Sequence, residues 1–214
     1  MKKELRDQIK QDEFTSGLEQ AVSWFTAHRD EVRIGAGVVA VLLAAAGALA
    51  YFQGQRAREA DRAFRDALTT FEAPVAAEIA SGAERPSGQV FATAEDKYKT
   101  AAAAFEGVER RFGSSVTGLR AKYYAALSRA ELGQQAEAEK ALKEIQARGA
   151  GLEPDLARLA LANLYRRGGQ VDKAVEAYRA LATNPAASIP RDFALVSAAQ
   201  SVRTGKEFQV LKHR

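Results

Sequence analysis

The feature that most constrains this chain is an uninterrupted apolar run from Ile34 to Phe52, IGAGVVAVLLAAAGALAYF, which contains no charged residue. A helix rises about 1.5 Å per residue, so this run is roughly 28 Å long, close to the hydrocarbon thickness of a bilayer. The run is apolar on every face, whereas a surface helix of a soluble protein has a polar face. The remaining chain is too small to bury such a helix completely. The run therefore predicts a single transmembrane helix over residues 34–52.

A cleaved signal peptide is the main alternative for this run. Ala48-Leu49-Ala50 has the small-x-small pattern of a cleavage site. However, the preceding residues 1–33 form a long segment that carries six Lys/Arg and seven Asp/Glu. The segment before the apolar part of a signal peptide is short and positively charged. We therefore expect a retained anchor.

The residues around this anchor do not decide on which side of the membrane each end of the chain lies. Arg29 and Arg33 lie just before the run, and four arginines lie soon after it, namely Arg56, Arg58, Arg62 and Arg65. By the positive-inside rule, this local count places the C-terminal part of the chain in the cytoplasm. Long domains, however, are translocated largely regardless of charge, so the count does not decide the orientation.

Residues 1–33 are predicted to contain an amphipathic helix that lies at the membrane interface. Apolar residues recur there at helical spacing, in the order Leu18, Ala21, Val22 and Phe25. Aromatic side chains are enriched at the membrane–water interface, and an amphipathic helix lies in that plane. The residues predicted to mark the anchor and its interface are Trp24, Phe25, Ile34 and Phe52.

Residues 53–214 contain a repeated pattern of one small and two large apolar residues, at spacings of four and three. The three sets are Ala101, Phe105, Val108; Ala138, Leu142, Ile145; and Ala174, Tyr178, Leu181. Ala138 follows Ala101 after 37 residues, and Ala174 follows Ala138 after 36. A period of this length indicates stacked helical hairpins.

A matching helix precedes each of the last two sets. YYAALSRAELGQ (123–134) and LALANLYRRGGQ (159–170) align with Ala126 over Ala162 and Gly133 over Gly169. Each glycine lies five residues before the small alanine of its set, where the chain must turn. Glycine ends helices by adopting the left-handed backbone conformation, and alanines let paired helices pack closely.

Residues 160–185, ALANLYRRGGQVDKAVEAYRALATNP, resemble the tetratricopeptide repeat. The preceding repeat is a looser match, because Arg129 stands where an aromatic residue is usual. The resemblance implies an all-α solenoid with its core formed by the repeated positions. The residues predicted to pack the repeats are Ala101, Phe105, Ala126, Gly133, Ala138, Leu142, Ala162, Gly169, Ala174 and Tyr178.

The first set lacks an adjacent partner helix. Residues 58–71 are predicted to supply it, because Ala60, Ala63, Phe64, Ala67, Leu68 and Phe71 share one helical face. Residues 72–95 contain two prolines and two glycines and are predicted to be a loop or insertion. Residues 191–203 are predicted to form a capping helix. The expected domain is therefore a solenoid of about three hairpins and a cap.

Catalytic and cofactor-binding patterns are absent from the sequence. The chain has no cysteine, and its two histidines, His28 and His213, are far apart. Glu106, Glu109 and Glu144 are interpreted as exposed helix carboxylates. The 31 basic and 27 acidic residues are interspersed, unlike the basic stripe of a nucleic-acid-binding protein. We therefore predict a protein that is not an enzyme and that binds no metal, cofactor, nucleic acid or small-molecule substrate.

The layout of the whole chain resembles the bacterial ancillary Sec translocon subunit family. The sharpest part of the resemblance is WFTAHRDEV within LEQAVSWFTAHRDEV (18–32), followed by one anchor, a long helix and divergent tetratricopeptide repeats. In that family the N-terminus is cytoplasmic and the repeats are periplasmic. Its members act at the translocon exit with a membrane-anchored periplasmic chaperone of the prolyl-isomerase-like type. The resemblance thus implies an inner-membrane protein with the orientation opposite to that given by the local arginine count.

Two functions are consistent with these patterns. The first is a non-catalytic scaffold of the Sec translocon, whose partners are the channel, the periplasmic chaperone and exported chains. The second is a structural repeat scaffold of another envelope complex, in secretion, motility or cytochrome assembly, because repeats are reused in many settings. First-helix residues expected to face a concave binding surface are Lys122, Tyr123, Arg129, Arg158 and Arg166.

Overall fold

A computed structural model of the chain describes residues 23–24, 26–79, 88–149, 151–184 and 188–212, and side chains in the last range as far as Arg203. The chain divides between Gln55 and Arg56 into two compact units, which are described in turn. All regular secondary structure in the described residues is helical, apart from one isolated bridge between Val75 and Phe91. The prediction of an all-α chain is confirmed for these residues.

The described part of the first unit consists mainly of the N-terminal part of helix α1, which as a whole runs over Arg29–Glu72. The apolar run lies within this helix. The most apolar 18-residue window of α1 has a mean hydropathy of 2.1, and none of it is buried within the chain. By length and composition the helix is able to cross a membrane. The described residues therefore supply no core for this run.

The residues just before α1 include a stacked aromatic pair. The rings of Trp24 and His28 stack with centroids 4.9 Å apart, and Nδ1 of His28 lies 3.1 Å from the carbonyl oxygen of Trp24. Of the residues that define the predicted amphipathic helix, Leu18, Ala21, Val22 and Phe25 all lie outside the described residues, so that prediction stays a prediction.

In its described residues, the second unit consists of three helical hairpins followed by one helix. Its helices after α1 are α2 (Ala94–Phe112), α3 (Val116–Glu131), α4 (Gln135–Gln146), α5 (Leu152–Arg167), α6 (Val171–Thr183) and α7 (Arg191–Lys212). The hairpins are formed by the C-terminal part of α1 with α2, by α3 with α4, and by α5 with α6. From α2 onwards each helix contacts the next, and α3 also contacts α5. This order of contacts is that of stacked helical repeats.

The repeated positions form the core of this unit. All nine residues of the three small–large–large sets are at most 4% exposed. Ala126 and Ala162 are completely buried in the first helices of their hairpins. Gly133 and Gly169 adopt φ values of 76° and 72° in the turns after these helices. That left-handed conformation is costly for residues with a Cβ atom, which explains the glycines.

An aromatic cluster joins the first hairpin to the second. Phe105 of α2 is completely buried, and its ring lies 5.6 Å from Phe64, 6.1 Å from Phe71 and 5.2 Å from Tyr124. Phe64 and Phe71 come from α1, so residues 58–71 do pair with the first set as their periodicity predicts.

The segment between α1 and α2 is anchored at both ends. The backbone N–H of Phe91 donates to the carbonyl of Pro74, and that of Ala76 donates to the carbonyl of Phe91, at 3.1 and 2.8 Å. Val75 and Phe91 are 5% and 8% exposed. The described ends of the predicted loop are therefore paired and buried, and a short 3₁₀ turn, Ala76–Glu78, lies next to them.

Helix α7 covers the end of the third hairpin. Ala194, Ala198 and Ser201 lie at helical spacing and are at most 5% exposed. The cap is longer than predicted, because it continues to Lys212 rather than ending near Arg203.

A buried carboxylate links α5 to the segment before α7. Asp155 is 1% exposed; its Oδ1 accepts a hydrogen bond from Arg158 and its Oδ2 accepts one from the backbone N–H of Ser188, both at 2.6 Å. Arg158 also donates to the carbonyl of Gly149 at 3.1 Å. One ion pair thus holds together two loops and the start of α5.

Replacing Asp155 by alanine is expected to lower the free energy of unfolding by about 2 kcal/mol, because two short hydrogen bonds to a buried charge are lost. Urea unfolding followed by far-ultraviolet circular dichroism measures this change. Asp172→Ala is the matched control, since Asp172 also lies in a first helical turn but is exposed. Asp172→Ala is expected to lower the free energy of unfolding by about 0.5 kcal/mol. Equal losses for the two variants would show that Asp155 has no linking role.

Candidate partner-binding surfaces

A groove runs between the second helices of the first two hairpins, α2 and α4, across α3. Its volume is about 330 Å³. We call it the charged groove and define it by its lining residues, Glu106, Glu109, Lys122, Ala125, Ala126, Arg129, Glu137, Lys140, Ala141 and Glu144. Its floor consists of alanines because small residues stand at the repeat-packing positions of α3. Its walls, α2 and α4, carry four carboxylates and Lys140, and α3 contributes Lys122 and Arg129.

Lys122 lies at the centre of an ion-pair network in this groove. Its Nζ is 3.3 Å from a carboxylate oxygen of Glu109 on α2 and 2.6 Å from one of Glu144 on α4. Burial alone would lower the pKa of Lys122, but the hydrogen bond to Glu144 and the charge of Glu109 outweigh it and raise the pKa above its usual value. The hydrogen bond from Lys122 in turn lowers the pKa of Glu144. One lysine therefore joins both walls of the charged groove.

Arg129 makes the second connection across the groove. Its guanidinium donates to Glu106 on α2 at 2.6 Å. The equivalent residue of the next repeat is Tyr165, whose hydroxyl donates to Glu139 on α4 at 2.9 Å. Burial, followed by the hydrogen bond to Glu139, raises the pKa of Tyr165. The arginine thus makes the contact with the preceding second helix that the aromatic residue makes in the better-matched repeat.

Polar contacts also join the first helices to one another. Thr117 donates to Asp61 and Arg120 donates to Glu153, each at 2.8 Å, and Arg167 donates to Glu131 at 3.0 Å. By helical periodicity, Thr117, Arg120 and Glu131 lie on the side of α3 opposite to Lys122 and Arg129. The first helices therefore form a second surface, separate from the charged groove.

The structure does not bring the five predicted partner-contact residues together. Lys122 and Arg129 line the charged groove and face the second helices, not the surface formed by the first helices. Tyr123 packs against the core, and Arg158 holds Asp155. Arg166 is exposed in the last turn of α5. Their role in binding partners stays a prediction.

The acidic walls of the groove were missed by sequence reasoning. Glu106, Glu109 and Glu144 are partly exposed, at 30%, 33% and 49% of their side chains, and each is ion-paired across helices. Such pairs join residues 13 to 23 positions apart in the sequence, so no local spacing reveals them. In the part of the chain that the structure describes, no group of three His, Asp or Glu residues is placed to hold a metal ion.

Replacing Lys122 by methionine is expected to lower the free energy of unfolding at neutral pH by about 1 kcal/mol, the size of two partly exposed ion pairs. The contribution of Glu144 is complete above the ordinary pKa of 4.5 and is lost as the pH falls through the lower folded value. That of Lys122 is complete below 10.5 and is lost as the pH rises through the higher folded value. The difference in free energy of unfolding between wild type and Lys122→Met is therefore expected to be largest between pH 4.5 and pH 10.5.

Urea unfolding at acidic, neutral and alkaline pH measures this difference. Lys140→Met is the matched control, because Lys140 lines the same groove without an ion pair among the described residues. It is expected to leave stability within about 0.5 kcal/mol at each pH. A Lys122→Met effect that does not change with pH would show that the network contributes no charge-dependent stability.

Comparison with known families supports the repeat assignment in one region. The tetratricopeptide repeat model matches residues 156–185, which include most of α5 and all of α6. No curated protein and no solved structure matches the chain. Tetratricopeptide repeats stack into surfaces that bind other proteins, and they act as scaffolds rather than catalysts. The matched region is the hairpin in which Tyr165 and Tyr178 occupy the aromatic positions of the repeat.

Proposed function

We propose that this chain is a non-catalytic, membrane-anchored scaffold that binds other proteins through its repeats. Residues 34–52 are the anchor and the second unit is the binding domain. In finer terms, it is an ancillary subunit of the Sec translocon in the bacterial inner membrane, with a cytoplasmic N-terminus and periplasmic repeats. There it assists the chaperoning of exported chains.

The observation that carries this proposal is the exposure of the apolar run. Its large apolar side chains are between 54% and 69% exposed, from Ile34 to Phe52. Contiguous apolar surface of this extent is unfavourable in water and marks a membrane or protein contact. A bilayer removes the whole circumference of the helix from water at once, which a single protein groove does not.

The position of the run in the sequence supports a membrane-proximal role for the repeats. Residues 53–59 alone separate Phe52 from Ala60, the first residue buried in the repeat core. An anchor over residues 34–52 would keep the binding domain close to the bilayer. The resemblance of residues 18–32 to the Sec ancillary family favours the translocon as the neighbour.

The charged groove offers a surface suited to a polypeptide. It has alanines at its floor and side chains of both charges around it, so charged groups of an extended chain or helix find partners of either sign. Lys140 and Glu137 line it without ion pairs among the described residues and are available to such a ligand.

Site-specific photo-cross-linking in intact cells tests this proposal. A photo-reactive residue replaces Lys140 in the groove, and the matched control carries it at Lys99, an exposed lysine of α2 that does not line the groove. We expect products with translocon subunits or exported chains from position 140 and much weaker ones from position 99. Products exclusively with another envelope complex would overturn the Sec assignment, and full release of the chain from membranes would overturn the anchor.

A further inference from the structure

Several large apolar side chains of helix α7 are exposed among the residues that the structure describes. Phe193, Leu195, Val196 and Val202 are 53%, 43%, 56% and 37% exposed. Exposed apolar side chains grouped on one helix mark a surface that contacts another molecule.

One outward stripe of α7 carries an acidic and a basic residue together with Val196. At 100° per residue, Asp192, Val196, Ala199 and Arg203 fall on one stripe, with Leu195 at its edge. The stripe lies away from Ala194, Ala198 and Ser201, which are buried against the third hairpin. Asp192 and Arg203 are exposed, and neither has an ion-pair partner among the residues that the structure describes.

We propose that this stripe binds the same stripe of a second copy of the chain, with the two α7 helices antiparallel. The charges of Asp192 and Arg203 favour a second copy of the chain as the partner. In an antiparallel pair in which Val196 faces Ala199 of the second copy, Asp192 faces Arg203 of that copy. Both pairs of positions are centred between residues 197 and 198, so one alignment of the two helices satisfies both. The small side chain of Ala199 allows the helices to approach closely. A two-fold axis then forms every contact twice.

A parallel arrangement or an unrelated partner has no such support in the sequence. In a parallel pair Asp192 would face Asp192 and Arg203 would face Arg203, so like charges would oppose each other. A single helix stripe is a small interface, so the dimer is expected to form reversibly and to depend on concentration.

Substitutions that reverse the charges at positions 192 and 203 test this proposal, when the association of the full-length chain with itself is measured. The chain has no cysteine, so a single cysteine at the exposed Ser114 accepts a donor or an acceptor dye. Energy transfer between the two labelled populations in detergent micelles then reports association. Asp192→Arg alone and Arg203→Asp alone are each expected to weaken association by roughly tenfold or more, because two ion pairs become two repulsions.

Mixing the two single variants shows whether charge repulsion, rather than damage to the helix, causes the weakening. The Asp192→Arg chain and the Arg203→Asp chain each repel their own kind and attract each other, so the mixed population is expected to associate like wild type. The double exchange, Asp192→Arg with Arg203→Asp, is expected to do the same. Asp172→Arg, which changes an equivalent first-turn acid on α6, is the control and is expected to leave association unchanged.

Three outcomes would overturn the proposal. They are no transfer for the wild-type chain at high concentration, association unchanged in both single variants, and loss in the single variants without recovery in the mixture. Circular dichroism of each variant shows whether α7 remains folded, and recovery in the mixture itself requires folded helices. None of these outcomes bears on binding of other proteins in the charged groove.

Discussion

Replacing Phe105 by alanine is expected to lower the free energy of unfolding of the repeat domain by about 4 kcal/mol. The side chain is completely buried, and its ring packs between two aromatic rings of α1 and one of α3. Truncation removes the hydrophobic burial and leaves a cavity that three helices border. Because the first and second hairpins share this cluster, we expect the loss to affect both. Urea unfolding of the full chain in detergent, followed by far-ultraviolet circular dichroism, measures it.

Phe193→Ala is the matched control for this prediction. It makes the same chemical change on α7, where the ring is 53% exposed, and is expected to cost at most about 1 kcal/mol at low protein concentration. A loss below about 1.5 kcal/mol for Phe105→Ala would show that Phe105 is not the centre of a well-packed core.

Replacing Gly118 by alanine is expected to lower the free energy of unfolding by about 3 kcal/mol, because backbone rather than a flexible side chain blocks the added atom. A Cβ at this position would lie 2.0 Å from the carbonyl oxygen of Phe112 and 2.7 Å from Cα of Gly113. Gly118 also donates its backbone N–H to the capping hydroxyl of Ser115 at 3.0 Å. The turn between α2 and α3 would have to open, which also disturbs this cap.

Gly107→Ala is the control, since a Cβ there meets only the end of the Arg110 side chain, at 4.0 Å. In the middle of α2 this change is expected to stabilise the chain by up to about 1 kcal/mol. Gly118→Ala is therefore expected to lower the free energy of unfolding and Gly107→Ala to raise it. Equal, small effects would show that the close approach of α3 to the end of α2 is not needed for folding.

The repeat architecture was predictable because its signal is periodic and local. A small residue followed by two large ones at spacings of four and three defines one buried helical face, and its recurrence from Ala101 to Ala138 to Ala174 defines the stack. The turns after α3 and α5 were predictable because only glycine adopts φ values near 75° without strain.

Features that depend on long-range contacts were not predictable. The direction in which Lys122 and Arg129 point is decided by carboxylates on α2 and α4, which the sequence pattern does not connect with them. The same is true of Asp155, whose partner Ser188 lies 33 residues away. The extra length of α7 was missed because Gly205, two residues after Arg203, is a typical helix-ending residue, yet the helix continues through it to Lys212.

The measurement that tests the central claim most directly is the topology of the full chain in a bacterial membrane. Two single-cysteine variants, Ser23→Cys and Ser114→Cys, place exposed thiols before and after residues 34–52 in a chain that has no other cysteine. The account predicts that a membrane-impermeant thiol reagent labels position 114 in intact spheroplasts and labels position 23 only after the membrane is opened. It also predicts that full-length chain stays in the membrane after alkaline extraction. Labelling of position 23 alone, equal labelling of both positions in intact spheroplasts, or extraction of the chain would contradict it.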